Sequence, residues 1–296
     1  MAAAELTKRD VHPLLPLRPR DAHKGIFGHL FILAGARGFM GAARLAGLAA
    51  ARSGVGLVTL GVPRSLADII ATGAPELMTL PLPENRAESL SAEALRPALN
   101  FTQDKRAVAL GPGLSQNAGT QTFIREFVAK CTAPKVIDAD ALNALAGHTN
   151  AINKSKSPSI LTPHPGEMAR LCACSTADVQ KDREEVATRF AKAHRCVLVL
   201  KGHGTIVAGP EGELFINRTG NSGMATGGTG DVLTGILGGL LAQGMKPLDA
   251  ARLGVYAHGL AGDFAAAEKT ERGLIASDVI EKLPAVWRYI EGAFEP

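Results

Sequence analysis

Short apolar runs alternate with longer segments of helical periodicity along most of this chain. A run of about four to eight apolar residues next to glycine, proline or acid is typical of a buried strand, and apolar residues three and four apart indicate a helix. The sequence predicts strands at 29–35, 55–61, 77–82, 107–110, 135–138, 159–162 and 196–200, and a hairpin of 205–208 with 214–217. It predicts helices at 42–52, 64–71, 91–99, 117–130, 175–194, 232–243, 247–268 and 277–291.

This alternation predicts an α/β fold whose central sheet is mainly parallel and covered by helices on both faces. No linker or charge run divides the chain, so we expect a single domain over 1–296 that begins with a polar, proline-containing N-terminal arm at 1–22. Two helical segments rich in small residues, 42–52 and 250–267, offer surfaces that could pack against partner subunits.

The stretch 220–244 combines a glycine-rich loop with an apolar helix. The motif GGTGD at 227–231 stands at the start of that helix. Helix starts hold unpaired N–H groups and the positive end of the peptide dipole, so this loop is suited to binding an anion such as phosphate. Asp231 would repel that phosphate unless it has a metal or a proton to accept, although first-turn aspartates often only offset the dipole. Three interior glycines predict close backbone approach: Gly235, Gly238 and Gly239.

Polar and glycine-rich residues follow many of the predicted strands. In open α/β sheets, ligands bind beyond the carboxyl ends of the strands, so we expect these segments to meet around one site. Each taken alone could be an ordinary turn. They are Gly35, 111–113, 138–140, 162–167 and 201–202.

Composition excludes several classes of protein. The net charge of +4 comes from dispersed residues without a basic block, which disfavours a nucleic-acid partner. The four cysteines match neither a zinc set nor a disulfide framework. No run is apolar enough for a signal peptide or a membrane span, so we expect a soluble, cytoplasmic protein.

Common catalytic motifs are missing from the sequence. It contains no P-loop, no complete G-x-G-x-x-G, no G-x-S-x-G and no H-E-x-x-H, which disfavours the corresponding nucleotidases, dehydrogenases, hydrolases and zincins. A phosphate-binding loop with a carboxylate remains, together with a strand-end lysine and further acids. This set suits phosphoryl transfer, in which a carboxylate accepts the proton of the acceptor hydroxyl. The lysine is Lys201, and the acids are Asp138, Asp140 and Glu167.

Six segments together resemble the NAD(P)H-hydrate dehydratase family, and the resemblance extends from His23 to Trp287. They are HKGIFGHLFILAGARGFMGAARLAGLAAARSGVGLVTL, ALGPGL, DADALNALA, LTPHPGEMARL, VLVLKGHGTIV and NSGMATGGTGDVLTGILGGLLAQG. The resemblance implies a ribokinase-like fold, a three-layer α/β/α sandwich. It also implies repair of NADH or NADPH that has added water across a nicotinamide double bond, by phosphorylation of the S-form hydrate and elimination of phosphate.

The resemblance assigns two sets of residues. The family's hydrate site falls on Ala42, Gly113, His164 and Asp231, and Asp231 would be the catalytic base. Its nucleotide site falls on Lys201, Gly202, His203, Gly204, Thr205 and Gly230. From the residues alone, Ala42 could equally be packing, His164 a capped turn residue and Lys201 a solvated strand-end cation. Glu167 and Asp138 could organise Mg²⁺ through water, although the metal ligands stay unknown.

The resemblance also implies the other components of the reaction. The phosphoryl donor is ADP or ATP; the absence of an attached epimerase domain favours ADP by analogy. Mg²⁺ is the expected cofactor, and a homo-oligomer, often a tetramer, is the expected assembly. Two alternatives stay open: a vitamin-precursor kinase of the same fold, which would use the same base, and a catalytically idle nucleotide-binding protein. The motifs outside GTGD disfavour the first, and an intact Asp231 and Lys201 disfavour the second.

Overall fold

Ten strands form one sheet within residues 3–292, the part of the chain that the computed structural model describes. They are β1 (Ala4–Glu5), β2 (His29–Leu33), β3 (Leu57–Pro63), β4 (Met78–Leu82), β5 (Ala107–Leu110), β6 (Lys135–Ile137), β7 (Ser159–Leu161), β8 (Val197–Leu200), β9 (Thr205–Ala208) and β10 (Leu214–Asn217). Their order is β1-β10-β9-β8-β7-β6-β5-β2-β3-β4. Only the pairs β8–β9 and β9–β10 are antiparallel, so the predicted mainly parallel sheet is confirmed.

Helices cover both faces of this sheet. They are α1 (Lys8–Val11), α2 (Met40–Arg52), α3 (Ala67–Ala71), α4 (Leu95–Phe101), α5 (Ala118–Lys130), α6 (Ala139–Leu145), α7 (Asn150–Lys154), α8 (Pro165–Cys172), α9 (Thr176–Lys181), α10 (Arg183–His194), α11 (Thr229–Ala242), α12 (Pro247–Lys269) and α13 (Ala276–Ile290). Short 3₁₀ turns precede α3 and α4.

The strand pleat divides the core into two clusters. Val136 and Ile160 point into the cluster formed with α2, α11, α12 and α13, whereas Ile137 and Leu161 point into the cluster on the other face. Alternation along short apolar strands therefore fills both layers. The three-layer α/β/α arrangement that we expected is confirmed, and the single-domain assignment stays a prediction.

Helix α11 packs closely against α2. A Cβ added at Gly235 would lie 2.1 Å from the backbone oxygen of Ala46 on α2, and one at Gly239 would lie 3.1 Å from that of Ala50. The close backbone approach predicted from the interior glycines is thus present at Gly235 and Gly239, whereas Gly238 packs against the side chain of Leu30. The small residues of α2 face the interior of the chain. Ala43, Ala46, Ala49 and Ala50 are fully buried, so they do not form a surface for a partner subunit.

The sequence pattern did not predict α1, α6, α7 or α8, and two of these, α6 and α8, begin at strand ends. Asp138 is the N-cap of α6, His164 is the N-cap of α8 with Pro165 at its first position, and α7 follows soon after α6. Proline and acid beside a strand suggest a turn, but both are also favoured at a helix start. Because proline and acidic residues are common both in turns and at helix starts, the sequence pattern does not predict these helices.

The predicted helix 175–194 is wrong in one respect, because it is two helices. Ser175 caps α9 through the predicted box with Asp178. At Asp182 the backbone leaves helical geometry (φ −147°, ψ 71°), and the Asp182 side chain accepts the N–H of Glu185 at 3.1 Å to begin α10. An aspartate that bonds a nearby N–H competes with a continuous helix.

The N-terminal arm is part of the fold from residue 4 onward. Strand β1 pairs in parallel with β10 and forms one edge of the sheet, and Val11 of α1 is completely buried. Among residues 3–292 no helix is long and apolar enough to cross a membrane, and the four cysteines are free thiols.

Candidate active site

A buried hydrogen-bonded network lies where three elements meet. Lys201 follows β8 and Asp138 follows β6, and the Lys201 Nζ lies 2.7 Å from Asp138 Oδ1. The Thr234 hydroxyl of α11 donates to Asp138 Oδ2 at 2.8 Å. Because Asp138 is only 1% exposed, both of its oxygens need such partners. The network fixes α11 against the carboxyl edge of the sheet.

Lys201 remains a cation in this setting. Its burial would by itself lower the pKa of the ammonium, but the charges of Asp138 and Glu167 outweigh burial and raise that pKa. Its side chain is still 21% exposed, so the charge also faces open space. Lys201 is therefore an ion-paired cation that lines the cleft and is not held by solvent alone.

Asp231 lies in the first turn of α11, three residues before Thr234. Residues three apart share a helix face, which places Asp231 on the side of the Asp138 network. Burial raises the pKa of Asp231 to about 7, the negative charges of Asp138 and Asp140 act in the same direction, and Lys201 opposes them. A carboxylate poised near neutral pH is a candidate general base.

The start of α11 leaves its backbone N–H groups available to an anion. No side chain caps it, because the N-cap is Gly228 in the left-handed region (φ +95°) and the Thr229 hydroxyl donates backwards to the carbonyl of Met224 at 2.9 Å. His258 of α12 contacts the Thr229 carbonyl through Nε2 at 2.9 Å, and burial lowers the pKa of that imidazole to about 4. His258 is thus a neutral donor at pH 7 that positions the turn.

A cleft of about 650 Å³ lies beside this helix start. All six residues expected to bind the nucleotide line it: Lys201, Gly202, His203, Gly204, Thr205 and Gly230. Three of its glycines adopt backbone angles that favour glycine, with φ of +139° at Gly202, +63° at Gly204 and +105° at Gly220. The opposite walls come from the segment 217–222 and from α12. Its volume and its mixed lining suit a small organic anion.

Two of the residues expected to bind the hydrate lie against each other, outside the lining of this cleft. A Cβ added at Gly113 would lie 3.1 Å from the Cβ of Ala42 and 2.7 Å from that of Phe39. Gly113 follows β5 and has φ of +60°, whereas Ala42 lies in the first turn of α2. The two form a surface without bulky side chains, next to an aromatic residue, Phe39, that is 58% exposed.

His164, the third such residue, is engaged in capping. Its Nδ1 accepts the N–H of Gly166 at 3.0 Å, and Glu167 Oε2 accepts the N–H of His164 at 2.8 Å. Its side chain is 52% exposed, with Nε2 3.6 Å from Glu167 Oε1. Glu167 Oε2 in turn lies 3.9 Å from Lys201, which connects His164 to the central network. The interpretation of His164 as a capped turn residue is correct for its Nδ1, which accepts a backbone N–H. The face of its ring is still exposed.

Residues 3–292 contain no group of three or more His, Cys, Asp or Glu side chains arranged to hold a metal ion. Both carboxylate oxygens of Asp138 and the Oε2 of Glu167 already accept hydrogen bonds. Mg²⁺ is commonly bound by one or two carboxylates, substrate phosphates and water rather than by a cage of protein ligands. This site is therefore suited to an ion that arrives with a nucleotide.

Sequence reasoning missed two members of the site. Thr234 carried a usable signal, since it stands one helical turn after Asp231 with a polar side chain on an otherwise apolar face. His258 carried none, because it lies in the middle of α12, far along the chain from the turn it contacts. Only the packing of α12 on α11 brings it there.

Comparison with known proteins gives a consistent result. A model described as NAD(P)H-hydrate dehydratase matches residues 30–285. The bifunctional NAD(P)H-hydrate repair enzyme Nnr of Moorella thermoacetica is 46% identical over 281 residues, which cover 95% of this chain and 53% of that enzyme. This chain spans about half the length of the first curated relatives it matches.

A shorter relative is covered almost completely. The ADP-dependent (S)-NAD(P)H-hydrate dehydratase of Bacillus subtilis is 36% identical over 285 residues, which cover 96% of this chain and 98% of that protein. A crystal structure of a Bacillus subtilis ADP/ATP-dependent NAD(P)H-hydrate dehydratase, co-crystallised with ATP/Mg²⁺, matches with a TM-score of 0.87 at 35% identity and covers 98% of this chain and 100% of its own. The ribokinase-like fold is confirmed as well.

Proposed function

The chain belongs to the NAD(P)H-hydrate dehydratase family, and from this premise we propose that it repairs hydrated NADH and NADPH. It dehydrates the S-form of the hydrate at the expense of ADP, giving AMP and phosphate, or of ATP. One observation carries the proposal: Asp231, with a pKa of about 7, stands at an uncapped helix start beside a cleft lined by Lys201 and Gly230.

The first step is phosphoryl transfer. Asp231 accepts the proton of the hydrate hydroxyl, and that oxygen attacks the terminal phosphorus of the nucleotide. The bond from this phosphorus to the bridging oxygen breaks, and the shortened nucleotide leaves with the electron pair. The ammonium of Lys201 and the N–H groups of Gly202, Gly204 and Gly230 would stabilise the charge on the phosphoryl oxygens.

The second step is elimination. Hydroxide is a poor leaving group, whereas phosphate is a good one, and the ring nitrogen of the hydrated nicotinamide donates its electron pair as the C–O bond breaks. Loss of a ring proton then restores the dihydronicotinamide. Ala42, Gly113 and His164 would hold the hydrate with its hydroxyl towards Asp231, and the small Ala42–Gly113 surface allows a diphosphate to approach the start of α2.

Mg²⁺ would be the cofactor and, when bound, would neutralise phosphate charge. Asp138 and Glu167 would contact it through water, because both already accept hydrogen bonds from protein groups. Two curated relatives are named ADP-dependent, which favours ADP as the donor. A homotetramer and a cytoplasmic location stay predictions.

The test is to incubate the chain with hydrated NADH or NADPH, Mg²⁺ and either ADP or ATP while following the absorbance of the reduced ring. We expect recovery of the reduced ring only when a nucleotide is present. Absence of recovery with both nucleotides would overturn the proposal. In that case, transfer of phosphate from ATP to a hydroxymethylpyrimidine, hydroxyethylthiazole or pyridoxal substrate would support the vitamin-precursor kinase instead.

A further inference from the structure

Arg183 lies directly beneath the loop 201–205. It is the first residue of α10, and its guanidinium donates to three backbone carbonyls: Nη1 to His203 at 2.6 Å, and Nη2 to Leu200 at 3.0 Å and to Lys201 at 3.3 Å. Arg183 does not line the cleft, whereas the loop above it does. The side chain therefore holds the loop from behind.

The position of Arg183 is unfavourable for a cation in two ways. A positive charge in the first turn of a helix opposes the peptide dipole. Within residues 3–292 the guanidinium forms no ion pair with a carboxylate. Its Nε is buried without a hydrogen-bond partner. The carbonyls of the loop are thus the main compensation for this charge, which points to a role in holding the loop.

The carbonyl contacts determine where the loop N–H groups point. In a trans peptide the C=O and the following N–H lie on opposite sides of the bond. With the carbonyls of Lys201 and His203 turned towards Arg183, the N–H groups of Gly202 and Gly204 point away from it. Neither N–H donates a hydrogen bond within the described chain. Two unpaired N–H groups on the side of the loop away from Arg183 are available to bind an anion.

We propose that Arg183 is the positioning residue of the nucleotide loop, which it holds in the conformation that presents the Gly202 and Gly204 N–H groups to the nucleotide phosphates. The proposal rests on the proposed function in taking the cleft as the nucleotide site. The helix break at Asp182 contributes to this positioning. The Asp182 side chain accepts the N–H of Glu185 and so fixes Arg183, the first residue of α10, under the loop.

The variants Arg183→Lys and Arg183→Met test this role, with Arg189→Lys and Arg189→Met as matched controls on the exposed face of the same helix. A lysine keeps the charge but has no planar fork to hold three carbonyls. We expect both Arg183 variants to raise the Kd and the KM for ADP about 10-fold or more and to change the KM for the hydrate less than about 2-fold, because the loop holds the nucleotide and not the hydrate. The Arg189 variants should match the wild type.

Calorimetric titration with ADP separates this proposal from the function. If the wild type binds ADP without turning over hydrate, the function fails, and the Kd values still decide the role of Arg183. Wild-type affinity in Arg183→Lys would show that charge alone suffices and would overturn the positioning role, as would failure of the wild type to bind ADP or ATP. If Arg183→Met has no cooperative melting transition, Arg183→Lys decides alone.

Discussion

Asp231 must satisfy two opposing requirements. It must be ionised to accept a proton, yet it lies partly buried near Asp138 and Asp140, whose charges oppose its ionisation. Lys201 offsets part of that cost while remaining paired with Asp138. The result is a carboxylate whose basicity is raised to suit proton abstraction at neutral pH.

Replacing Asp231 by Asn should remove turnover and leave nucleotide binding intact. The amide has nearly the same shape but cannot accept the hydroxyl proton, so we expect kcat to fall by about 10²–10⁴-fold. The Kd for ADP, measured by calorimetry, should change little. A variant that keeps more than about a tenth of wild-type activity would contradict the role of base.

Melting curves of the same variant provide its control. The pKa of Asp231 in the fold, about 7, is above the ordinary carboxyl value of 3.8, so its ionisation costs stability as the pH rises through that window. Asn carries no charge at any pH. Asp231→Asn should therefore melt at or above the wild-type temperature at about pH 8 and close to it at about pH 4.

The pH dependence of the reaction follows from the same pKa. Below about pH 7 the free enzyme holds a growing fraction of protonated Asp231, so kcat/KM for the hydrate should fall about tenfold per pH unit on the acid side. Measurement at saturating nucleotide and at a fixed fraction of ionised nucleotide isolates the protein group. A flat profile down to about pH 5 would show that a different group acts as the base.

Among the secondary-structure elements, α11 connects stability to the site. It carries Asp231 and Thr234 at its start and packs against α2 through glycines in its middle. Glycine in a helix interior costs about 0.5–1 kcal/mol relative to alanine, and here it allows backbone contact that no larger residue permits. Asp231 is therefore held by a helix whose position the core determines.

Substitution of Gly235 by Ala should destabilise the fold. The added Cβ would lie 2.1 Å from the Ala46 oxygen, so one helix must shift, at a cost of about 1–3 kcal/mol in the free energy of unfolding. Gly41→Ala on the exposed start of α2 is the control, because its Cβ meets nothing within 4 Å and should stabilise by up to about 1 kcal/mol. Equal melting temperatures for the two variants would contradict the close packing.

The elements show where sequence pattern is informative. Apolar runs predicted nine of the strands to within about two residues, and the signal is continuous in strands such as β5 and β8 that are buried on both faces. Helices α6, α7 and α8 are short and begin at acidic, threonine and histidine caps, so their signal was confused with turns. The helical periodicity of 175–194 continues through Asp182, but one side-chain hydrogen bond at this residue ends α9 and begins α10. The spacing of apolar residues carries no information about such a bond.

At the scale of the whole molecule, the parallel sheet explains why residues distant in sequence meet. Asp138, His164 and Lys201 follow β6, β7 and β8, which are neighbours in the sheet, and α11 then crosses their ends. The sequence predicted this convergence from topology. It did not predict the shape of the cleft, because the walls opposite the nucleotide residues come from α12 and the segment 217–222.

The proposed reaction requires both transfer and elimination, so the most direct test is its stoichiometry. With hydrated NADH, ADP and Mg²⁺, the amounts of recovered NADH, released phosphate and formed AMP should be equal throughout the time course, and Asp231→Asn should produce none of them. Consumption of the nucleotide with accumulation of a phosphorylated product, and without free phosphate or recovered NADH, would contradict a dehydratase and indicate a kinase.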